Sequence, residues 1–434
     1  MLQAALLRHF SVGSIDVVKR VLNPLPAAGN GLLGRRGFLQ ASLGGVTLLT
    51  ATAGAGPRET WMTAPGDPLS ESGDPSPREA QLRRIDISSR PGTTGSGVSR
   101  TPLEHLDGII TPSRLHFERH HSGIPDIDPA RHTLAVHGLV DRPLSFNTEA
   151  LDRYPKVSRI HFLECSGNSG ALIAPEPVQL TAGGIHGLVS TSEWGGVPLS
   201  VLLDEAGVKP DAKWIVASGA DSAMMSRSIP LDKALDDAVV ALYQNGEPLR
   251  PSNGYPMRLF LPGWEGNLCV KWLRTIKVTQ GPAMTRDETS KYSDLRNDGV
   301  AELFTFPMGV KSVVTSPSPG LNLRQKGLYQ VSGVAWSGAG KITRVEVSTD
   351  AGRSWAEAVL DAHVLPMCLT RFRTAWNWDG GPAVLMSRAI DDAGHVQPSR
   401  DMVMARRAAN SFYHYNGIQA WRVSEQGAVS NVYA

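Results

Sequence analysis

The spacing of apolar segments changes near residue 307, and this change constrains the fold most because it separates two kinds of domain. Between about residues 101 and 280, apolar runs alternate with two short segments, 198–206 and 231–237, whose apolar residues predict helices. After residue 307, the short segments 329–336, 342–348, 370–378 and 384–390 are separated by Gly, Asp and Ser turns, and alternation within 342–348 and 370–378 predicts strands, which is typical of a β-sandwich. The pattern therefore predicts an α+β domain followed by an immunoglobulin-like β-sandwich without its disulfide. The strands predicted in the first domain are 133–140, 158–165, 213–217, 239–243, 257–261 and 269–279.

Composition near the two ends of the chain predicts an export signal and further boundaries. Residues 34–40 include two arginines and lead into a short apolar run and then small residues, the order typical of a twin-arginine signal peptide. An ordinary secretory signal, or a buried helix with two arginines, is the alternative. The apolar run is too short to span a bilayer, so no membrane span is predicted. The expected segments are a signal peptide over 1–55, a linker or arm over 56–100, the α+β domain over 101–305, the sandwich over 306–407, and a C-terminal segment over 408–434 that packs back on the body.

Net charge and cysteine spacing exclude several classes of protein. The formal net charge is +2 over 434 residues, which is a poor match to a nucleic-acid-binding protein. Cys165, Cys269 and Cys368 lie far apart and form no C-x-x-C pair. The chain therefore lacks the motif of a zinc ribbon and the C-x-x-C-H motif that attaches a c-type haem.

Cys165 lies directly after a predicted apolar strand and before a run of small and polar residues, Ser-Gly-Asn-Ser-Gly at 166–170. Such a turn lets a bulky ligand approach the sulfur and offers backbone N–H groups to it. A lone cysteine at a strand end is commonly a small core side chain. The functional alternatives are a nucleophile and a ligand of a soft metal, and the residues alone leave these roles open.

A histidine-rich stretch is the second candidate feature. Eight of the twelve histidines lie between His105 and His186. His116 and His120 would share one face of a helix, but Gly123 and Pro125 follow at once and make a helix doubtful. A zinc site is therefore a minority interpretation.

A third segment places cations beside glycine-rich turns. Arg258 follows Asn-Gly-Tyr-Pro-Met at 253–257, and Lys271 follows Gly-Trp-Glu-Gly-Asn-Leu-Cys-Val at 263–270. This arrangement favours a phosphate or dithiolene anion held by side-chain cations and backbone N–H groups. Ordinary surface charge flanking a β-hairpin is the alternative for either residue alone.

In this order, these segments resemble the sulfite oxidase family of molybdenum enzymes from about residue 100 to the end of the chain. The resemblance implies a molybdopterin-binding domain followed by a dimerisation domain, with molybdenum–molybdopterin as cofactor and no haem in this chain. It also implies that Cys165 is the molybdenum ligand, that Arg119 binds the substrate anion, and that Tyr292 is the active-site tyrosine. The pterin contacts that it implies are His120, His121, Asp221, Asn253, Arg258, Cys269, Val270 and Lys271.

Within this family, segments 119–125 and 164–169 are similar to sulfane dehydrogenases of the periplasmic thiosulfate-oxidising system. Where sulfite oxidases carry a second substrate-binding arginine, this sequence has His414, which we expect on the substrate side. The resemblance implies oxidation of a sulfane sulfur on a sulfur-carrier protein, a separate cytochrome c subunit as electron acceptor, a homodimer formed through the sandwich, and a periplasmic location. The alternatives are a direct sulfite dehydrogenase, a periplasmic methionine sulfoxide reductase, a zinc hydrolase, and a non-enzymatic adhesion or binding protein.

Overall fold

The computed structural model describes residues 63–65, 68–69, 71, 73, 76–78, 81–89, 93–408 and 411–434. The predicted signal peptide over residues 1–55 lies outside the described residues. Within the described part, the chain is mostly β-strand with short helices, and the predicted order of an α+β domain followed by a β-sandwich is confirmed. No helix in this part is long and apolar enough to cross a membrane.

A three-stranded antiparallel sheet precedes the main body of the first domain. It consists of β1 (Ile85–Ser89), β2 (Gly97–Arg100) and β3 (Glu118–His120). The prediction of a linker through residue 100 is therefore wrong for its last part. Backbone pairing and an ion pair from Arg84 to the first residue of β3 hold these strands together. They therefore form without the apolar periodicity by which a strand is recognised in a sequence. The sheet keeps β3 against the candidate site described below.

Two five-stranded sheets form the main body of the first domain. The strands are β4 (Leu134–Gly138), β5 (Leu144–Phe146), β6 (Val157–Glu164), β7 (Val189–Pro198), β8 (Trp214–Gly219), β9 (Ser226–Pro230), β10 (Val239–Gln244), β11 (Glu247–Pro248), β12 (Arg258–Phe260) and β13 (Leu273–Thr279). One sheet has the order β11-β10-β7-β6 with β12 paired to β10, and the other has the order β5-β4-β13-β8-β9. The predicted strand over 269–279 begins only at Leu273, because the preceding residues form a turn in which Trp272 adopts φ 53°.

The helices are short and cover the sheets. The longest is Leu199–Ala206, whose Leu199, Leu202, Leu203 and Ala206 are fully buried at helical spacing. Gly207 ends this helix in the left-handed conformation, at φ 72°. The other α-helices are Thr148–Asp152, Ala182–His186, Leu231–Asp236, Arg286–Thr289 and Arg400–Arg406, and the 3₁₀ helices are Leu103–His105, Ser113–Leu115, Gly170–Ile173 and Pro251–Asn253.

The second domain is a sandwich of a four-stranded and a five-stranded sheet. Its strands are β16 (Lys311–Ser316), β17 (Gly327–Trp336), β18 (Ile342–Ser348), β19 (Ala356–Glu357), β20 (Val359–Leu360), β21 (Thr370–Trp378), β22 (Ala383–Asp391), β23 (Ala420–Val423) and β24 (Val429–Val432), after a small pair β14 (Asp294–Leu295) and β15 (Ala301–Glu302). The sheets have the orders β16-β17-β21-β20 and β19-β18-β22-β23-β24. Because β23 and β24 complete the second sheet, the C-terminal segment packs on the body and the sandwich extends beyond the predicted end at residue 407.

Candidate active site

A cleft opens in the first domain between β3, the end of β6 and the turns around β12, and the space that it encloses together with its solvent-filled mouth is about 690 Å³. Most of the residues that the sequence predicts for the site line it. They are Arg119, His120, His121, Cys165, Asp221, Asn253, Arg258, Cys269, Lys271 and Tyr292.

The cysteine loop, residues 165–170, begins where β6 ends. The backbone N–H of Cys165 donates to Leu188 O (2.9 Å), and its carbonyl accepts from Asn168 N (2.8 Å), so the loop turns sharply away from the strand. Ser169 adopts a left-handed conformation at φ 64°. Burial raises the pKa of the Cys165 thiol, while Gly167 N–H and the charge of Arg119 act in the opposite direction. A soft metal ion would displace this proton and bind the thiolate.

Arg258 and Lys271 give the cleft its positive charge. Arg258 is buried, and its Nη1 and Nη2 donate to the carbonyls of Asn253 (2.9 Å) and Cys269 (2.8 Å). Burial lowers its pKa to about 10. Lys271 is half-buried, and burial and the neighbouring Arg258 lower its pKa well below the usual range. No carboxylate of the described chain lies within ion-pair distance of either cation, so this part of the cleft favours an anion.

His120 connects Lys271 to the first sheet. Lys271 Nζ donates to His120 Nδ1 (2.7 Å), so the imidazole proton is on Nε2, which lies 3.4 Å from Glu118 Oε2. Burial lowers the pKa of His120, which keeps the ring neutral. Burial opposes ionisation of Glu118, but hydrogen bonds from His120, Ser252 and Arg84 lower its pKa to about 2. The chain of contacts fixes the direction in which Lys271 points.

Arg119, His121 and Tyr292 form a second chain of contacts along the cleft wall. Arg119 Nη2 lies 3.4 Å from His121 Nδ1, and His121 Nε2 lies 2.8 Å from Tyr292 Oη. If arginine donates to Nδ1, then Nε2 carries the imidazole proton and donates to the phenol oxygen. The Tyr292 O–H is then available to a ligand in the cleft. Burial raises the pKa of Tyr292, so the phenol stays protonated.

The other predicted pterin contacts are held by the fold in different ways. Asp221 accepts from Ser122 Oγ (3.0 Å), and Asn253 Nδ2 donates to Gln244 Oε1 (2.7 Å). The Cys269 sulfur accepts from Leu261 N (3.3 Å) and is buried in the core.

Val270 is packed in the core of the first domain and does not line the cleft. Its carbonyl accepts from Leu259 N (2.9 Å), which closes the turn that leads to Lys271. The structure therefore does not bring the Val270 side chain to the site.

His414 lies behind the cleft rather than in it, so the expectation of a substrate-side position is not met. Its Nδ1 lies 2.6 Å from Asp294 Oδ2, and its Nε2 lies 3.3 Å from Glu265 Oε2. Burial favours the neutral ring, but the hydrogen bonds and charges of these two carboxylates raise its pKa to about 9. It lines a second cleft with Arg296 and Arg407. An imidazolium held by two carboxylates leaves little charge for a substrate anion.

A buried polar network beneath the cysteine loop was missed from the sequence. Glu164 Oε1 lies 3.3 Å from Lys311 Nζ, and Glu164 Oε2 accepts from Trp336 Nε1 (2.6 Å). Lys311 Nζ also donates to Ser169 Oγ (2.6 Å), which contacts His186 Nδ1 (2.7 Å). Lys311 and Trp336 belong to the second domain, so the sandwich supports the cysteine loop. The one signal of this network in the sequence is Lys311 at the start of a mostly uncharged segment, 311–316.

A second network lies behind Tyr292. Arg227 is fully buried and pairs with Glu265 (3.1 Å) and Glu288 (2.9 Å), and its guanidinium lies 4.9 Å from the Tyr292 ring centroid. Asn267, which lines the cleft, donates to Glu265 Oε2 (2.7 Å). These residues lie far apart in sequence, which hides them from motif analysis.

The zinc interpretation of the histidine-rich stretch does not fit the structure. His116 follows the 3₁₀ helix Ser113–Leu115 and His120 lies in β3, so the two are not on one helix face. Burial lowers the pKa of His116 to about 3. Across the described ranges, no group of three or more His, Cys, Asp and Glu side chains is placed to hold a metal ion.

The residues of the cleft fit molybdenum–molybdopterin. Arg258 Nε, His116 Nε2 and Asn267 Oδ1 are buried polar atoms with no hydrogen-bond partner in the described part of the chain. A soft thiol at one end of the cleft suits a soft metal, and the cations at the other end suit an anionic pterin group.

Comparison with protein families gives two adjacent matches. Residues 121–286 match the model described as the oxidoreductase molybdopterin binding domain. Residues 303–420 match the model described as the Mo-co oxidoreductase dimerisation domain.

Comparison with individual proteins agrees with these two domain matches. The chain is 31% identical over 328 residues to sulfite oxidase of Gallus gallus, covering 68% of this chain and 70% of that protein. It is 32% identical over 320 residues to the NADH nitrate reductase of Solanum lycopersicum, covering 64% of this chain and 34% of that protein, so it spans about a third of that relative. Among solved structures, sulfane dehydrogenase SoxCD from Paracoccus pantotrophus is 41% identical, with a TM-score of 0.80, covering 87% of this chain and 100% of that chain.

Proposed function

Since this chain belongs to the sulfite oxidase family of molybdenum-dependent oxidoreductases, we propose that it oxidises a sulfane sulfur bound to a carrier protein. The sulfur derives from thiosulfate, and each oxygen atom that it gains comes from water with release of two protons and two electrons. The observation that carries the choice of substrate is the position of His414. The ring is held by Asp294 and Glu265 behind the cleft, so it adds no free cation for a sulfite dianion.

The proposed roles of the residues follow from their contacts. Molybdenum–molybdopterin, when bound, supplies oxygen-atom transfer to sulfur and accepts the electrons. Cys165 would hold the metal as thiolate, while Arg258 and Lys271 would hold the anionic part of the pterin. Arg119 would stabilise negative charge that develops on the substrate oxygen.

Tyr292 would donate a hydrogen bond to the same oxygen. Its proton is directed away from His121 when the imidazole Nε2 donates to the phenol oxygen at 2.8 Å. Burial raises the Tyr292 pKa, so the phenol keeps this donor at neutral pH.

We also propose a cytochrome c subunit as electron acceptor, a homodimer through the sandwich, and a periplasmic location reached by the twin-arginine route. The dimerisation-domain match over residues 303–420 supports the homodimer. Export is tested by replacing Arg35 and Arg36 with lysine. The expected result is cytoplasmic accumulation of the folded chain, whereas unchanged export would contradict this route.

The substrate is tested with the holoenzyme and two purified substrates, a persulfidated sulfur-carrier protein and free sulfite. We expect cytochrome c reduction with the carrier at a kcat/KM at least tenfold above that with sulfite, about 1.4 kcal/mol in transition-state binding. The Cys165→Ser variant is the control for electrons that do not pass through the site.

Direct sulfite oxidation is the second candidate. Arg119 favours it, because this cation lies at the cleft beside Tyr292 and could hold an oxyanion. A higher kcat/KM for sulfite than for the persulfidated carrier would replace the first proposal with this one.

A further inference from the structure

A row of three aromatic rings leads from the protein surface to the cleft. Tyr292 lines the cleft and is 6% exposed, Tyr413 is half-buried, and Phe412 is 36% exposed. The ring centroids are 5.4 Å apart for Tyr292 and Tyr413 and 4.2 Å apart for Tyr413 and Phe412. Exposure therefore rises step by step along a continuous row, which we call the aromatic row.

The outer end of the aromatic row lies against the cysteine loop. A β-carbon on Gly167 would be 3.6 Å from Phe412 Cε2 and 3.9 Å from the Cys165 sulfur. A β-carbon on Gly170 would be 3.0 Å from the Phe412 carbonyl oxygen and 3.4 Å from its Cδ2. The Phe412 ring therefore lies against the loop close to the Cys165 sulfur. Ser166 O accepts from His414 N (2.7 Å) and fixes this approach.

Two of the three cations near the aromatic row are paired with carboxylates, and the third, Arg119, lies at its inner end next to the cleft. Arg227 lies over the Tyr292 ring but is fully buried and paired with Glu265 and Glu288. His414 follows Tyr413 in sequence and is held by Asp294 and Glu265. The row therefore offers an apolar, weakly charged surface, although it leads to a cleft rich in positive charge.

We propose that the aromatic row determines substrate specificity, with Phe412 contacting the uncharged inner sulfur and the methylene of a protein-bound cysteine persulfide as it enters. This inference rests on the proposed function and names the part of the chain that selects that substrate. Sulfur atoms make favourable contacts with aromatic rings, whereas a small dianion gains nothing from an apolar ring. Phe412 contributes to entry of the carrier-bound substrate and not to the binding of free sulfite.

The test compares kcat/KM for the persulfidated carrier protein and for free sulfite in holoenzymes with equal molybdenum content. Phe412→Ala is expected to lower the value for the carrier roughly 2- to 10-fold and to leave the value for sulfite unchanged. Phe412→Arg is expected to lower the KM for sulfite, because it adds a cation at the entrance. The matched control is Val359→Ala, an exposed apolar side chain of the second domain, which should change neither value.

Equal losses for both substrates in Phe412→Ala would overturn the inference, because the ring would then only support the loop. An unchanged carrier value would also overturn it. If the wild-type enzyme does not turn over the carrier at all, the proposed function fails instead, and the two failures are distinguished by the wild-type measurement.

Discussion

Two lysines, each beside a glycine-containing turn, have opposite environments. Lys271 is half-buried in the cleft and donates to neutral acceptors, Arg119 O (3.0 Å), His120 Nδ1 (2.7 Å) and Ser252 O (3.3 Å). Lys311 is 1% exposed, pairs with Glu164 at 3.3 Å, and donates to Ser169 Oγ at 2.6 Å. Burial lowers the pKa of both, but only at Lys311 does a carboxylate oppose that effect at contact distance.

The difference separates a charge that awaits a ligand from a charge that supports the fold. A buried cation with its own carboxylate is complete without any ligand, and removal of either partner leaves the other unpaired. A cation with only neutral acceptors gains when an anion binds beside it. On this account Lys271 serves the cofactor, whereas Lys311 holds the cysteine loop from the second domain.

The largest expected effect on the cofactor is its loss from Lys271→Met. Loss of a charged donor to an anion costs about 2–5 kcal/mol of binding, so molybdenum and pterin content should fall at least tenfold after dialysis. The apoprotein should lose less free energy of unfolding than the Lys311→Met protein, because three hydrogen bonds but no ion pair are lost. Metal analysis and pterin fluorescence measure the content. An unchanged content would contradict the assignment of Lys271 to the cofactor.

Lys311→Met should have the converse effect. We expect the free energy of unfolding of the apoprotein to fall by about 3–5 kcal/mol, because Glu164 stays buried without its cation. The double variant Glu164→Gln with Lys311→Met should recover most of this loss, since neither charge remains. Urea unfolding of the three proteins measures the values, and a double variant as unstable as the single one would argue against an ion-pair cause.

The raised pKa of His414 predicts that the free energy of unfolding falls at alkaline pH, an effect that neither lysine explains. Its pKa is about 9 in the folded chain and near 6.5 when unfolded, so its contribution is fully present below pH 6.5 and is lost as pH rises through 9. The contribution is about 3 kcal/mol. His414→Gln should therefore be less stable than wild type at pH 6 and approach it at pH 10.

His395 provides the matched control for that measurement. It lies 3.0 Å from Asp391 Oδ2, but its side chain is 61% exposed. His395→Gln should reduce the stability less than His414→Gln at pH 6, because solvent screens the exposed imidazole even though Asp391 is buried. A pH dependence unchanged by His414→Gln would contradict the buried ion-pair account.

The smallest effect is expected at a surface lysine. Lys156 pairs with Asp152 at 3.1 Å, and both side chains are substantially exposed. Lys156→Met should change the free energy of unfolding by less than about 0.5 kcal/mol and leave cofactor content unchanged. A larger effect would mean that the distance between the charged atoms, rather than their burial, determines how much each lysine stabilises the fold.

The sequence predicted those parts of the fold that depend on local periodicity. The strand Ile342–Ser348 and the strand Thr370–Trp378 lie where alternation placed them, because each has one buried face. The hairpin of β1 and β2 was missed, since backbone pairing holds it without such a face.

The residues of the site also divide into those that motifs predict and those that no motif shows. Arg119, Cys165, Arg258 and Lys271 follow from motifs, and all four line one cleft. The networks of Lys311 with Glu164 and of Arg227 with Glu265 join residues 147 and 38 positions apart. Pairs this far apart form no motif of fixed spacing that a sequence could show. The position of His414 was not predicted for the same reason, since its partners Glu265 and Asp294 lie far from it in sequence.

The most direct test of the account is X-ray absorption spectroscopy at the molybdenum edge on the wild type and on Cys165→Ser. The account predicts about one molybdenum per chain in the wild type. It also predicts one sulfur ligand fewer in the serine variant, with the pterin still bound by Lys271 and Arg258. An equal number of sulfur ligands in the two proteins, or a purified wild type that contains no molybdenum, would contradict the assignment of Cys165 and of the cleft.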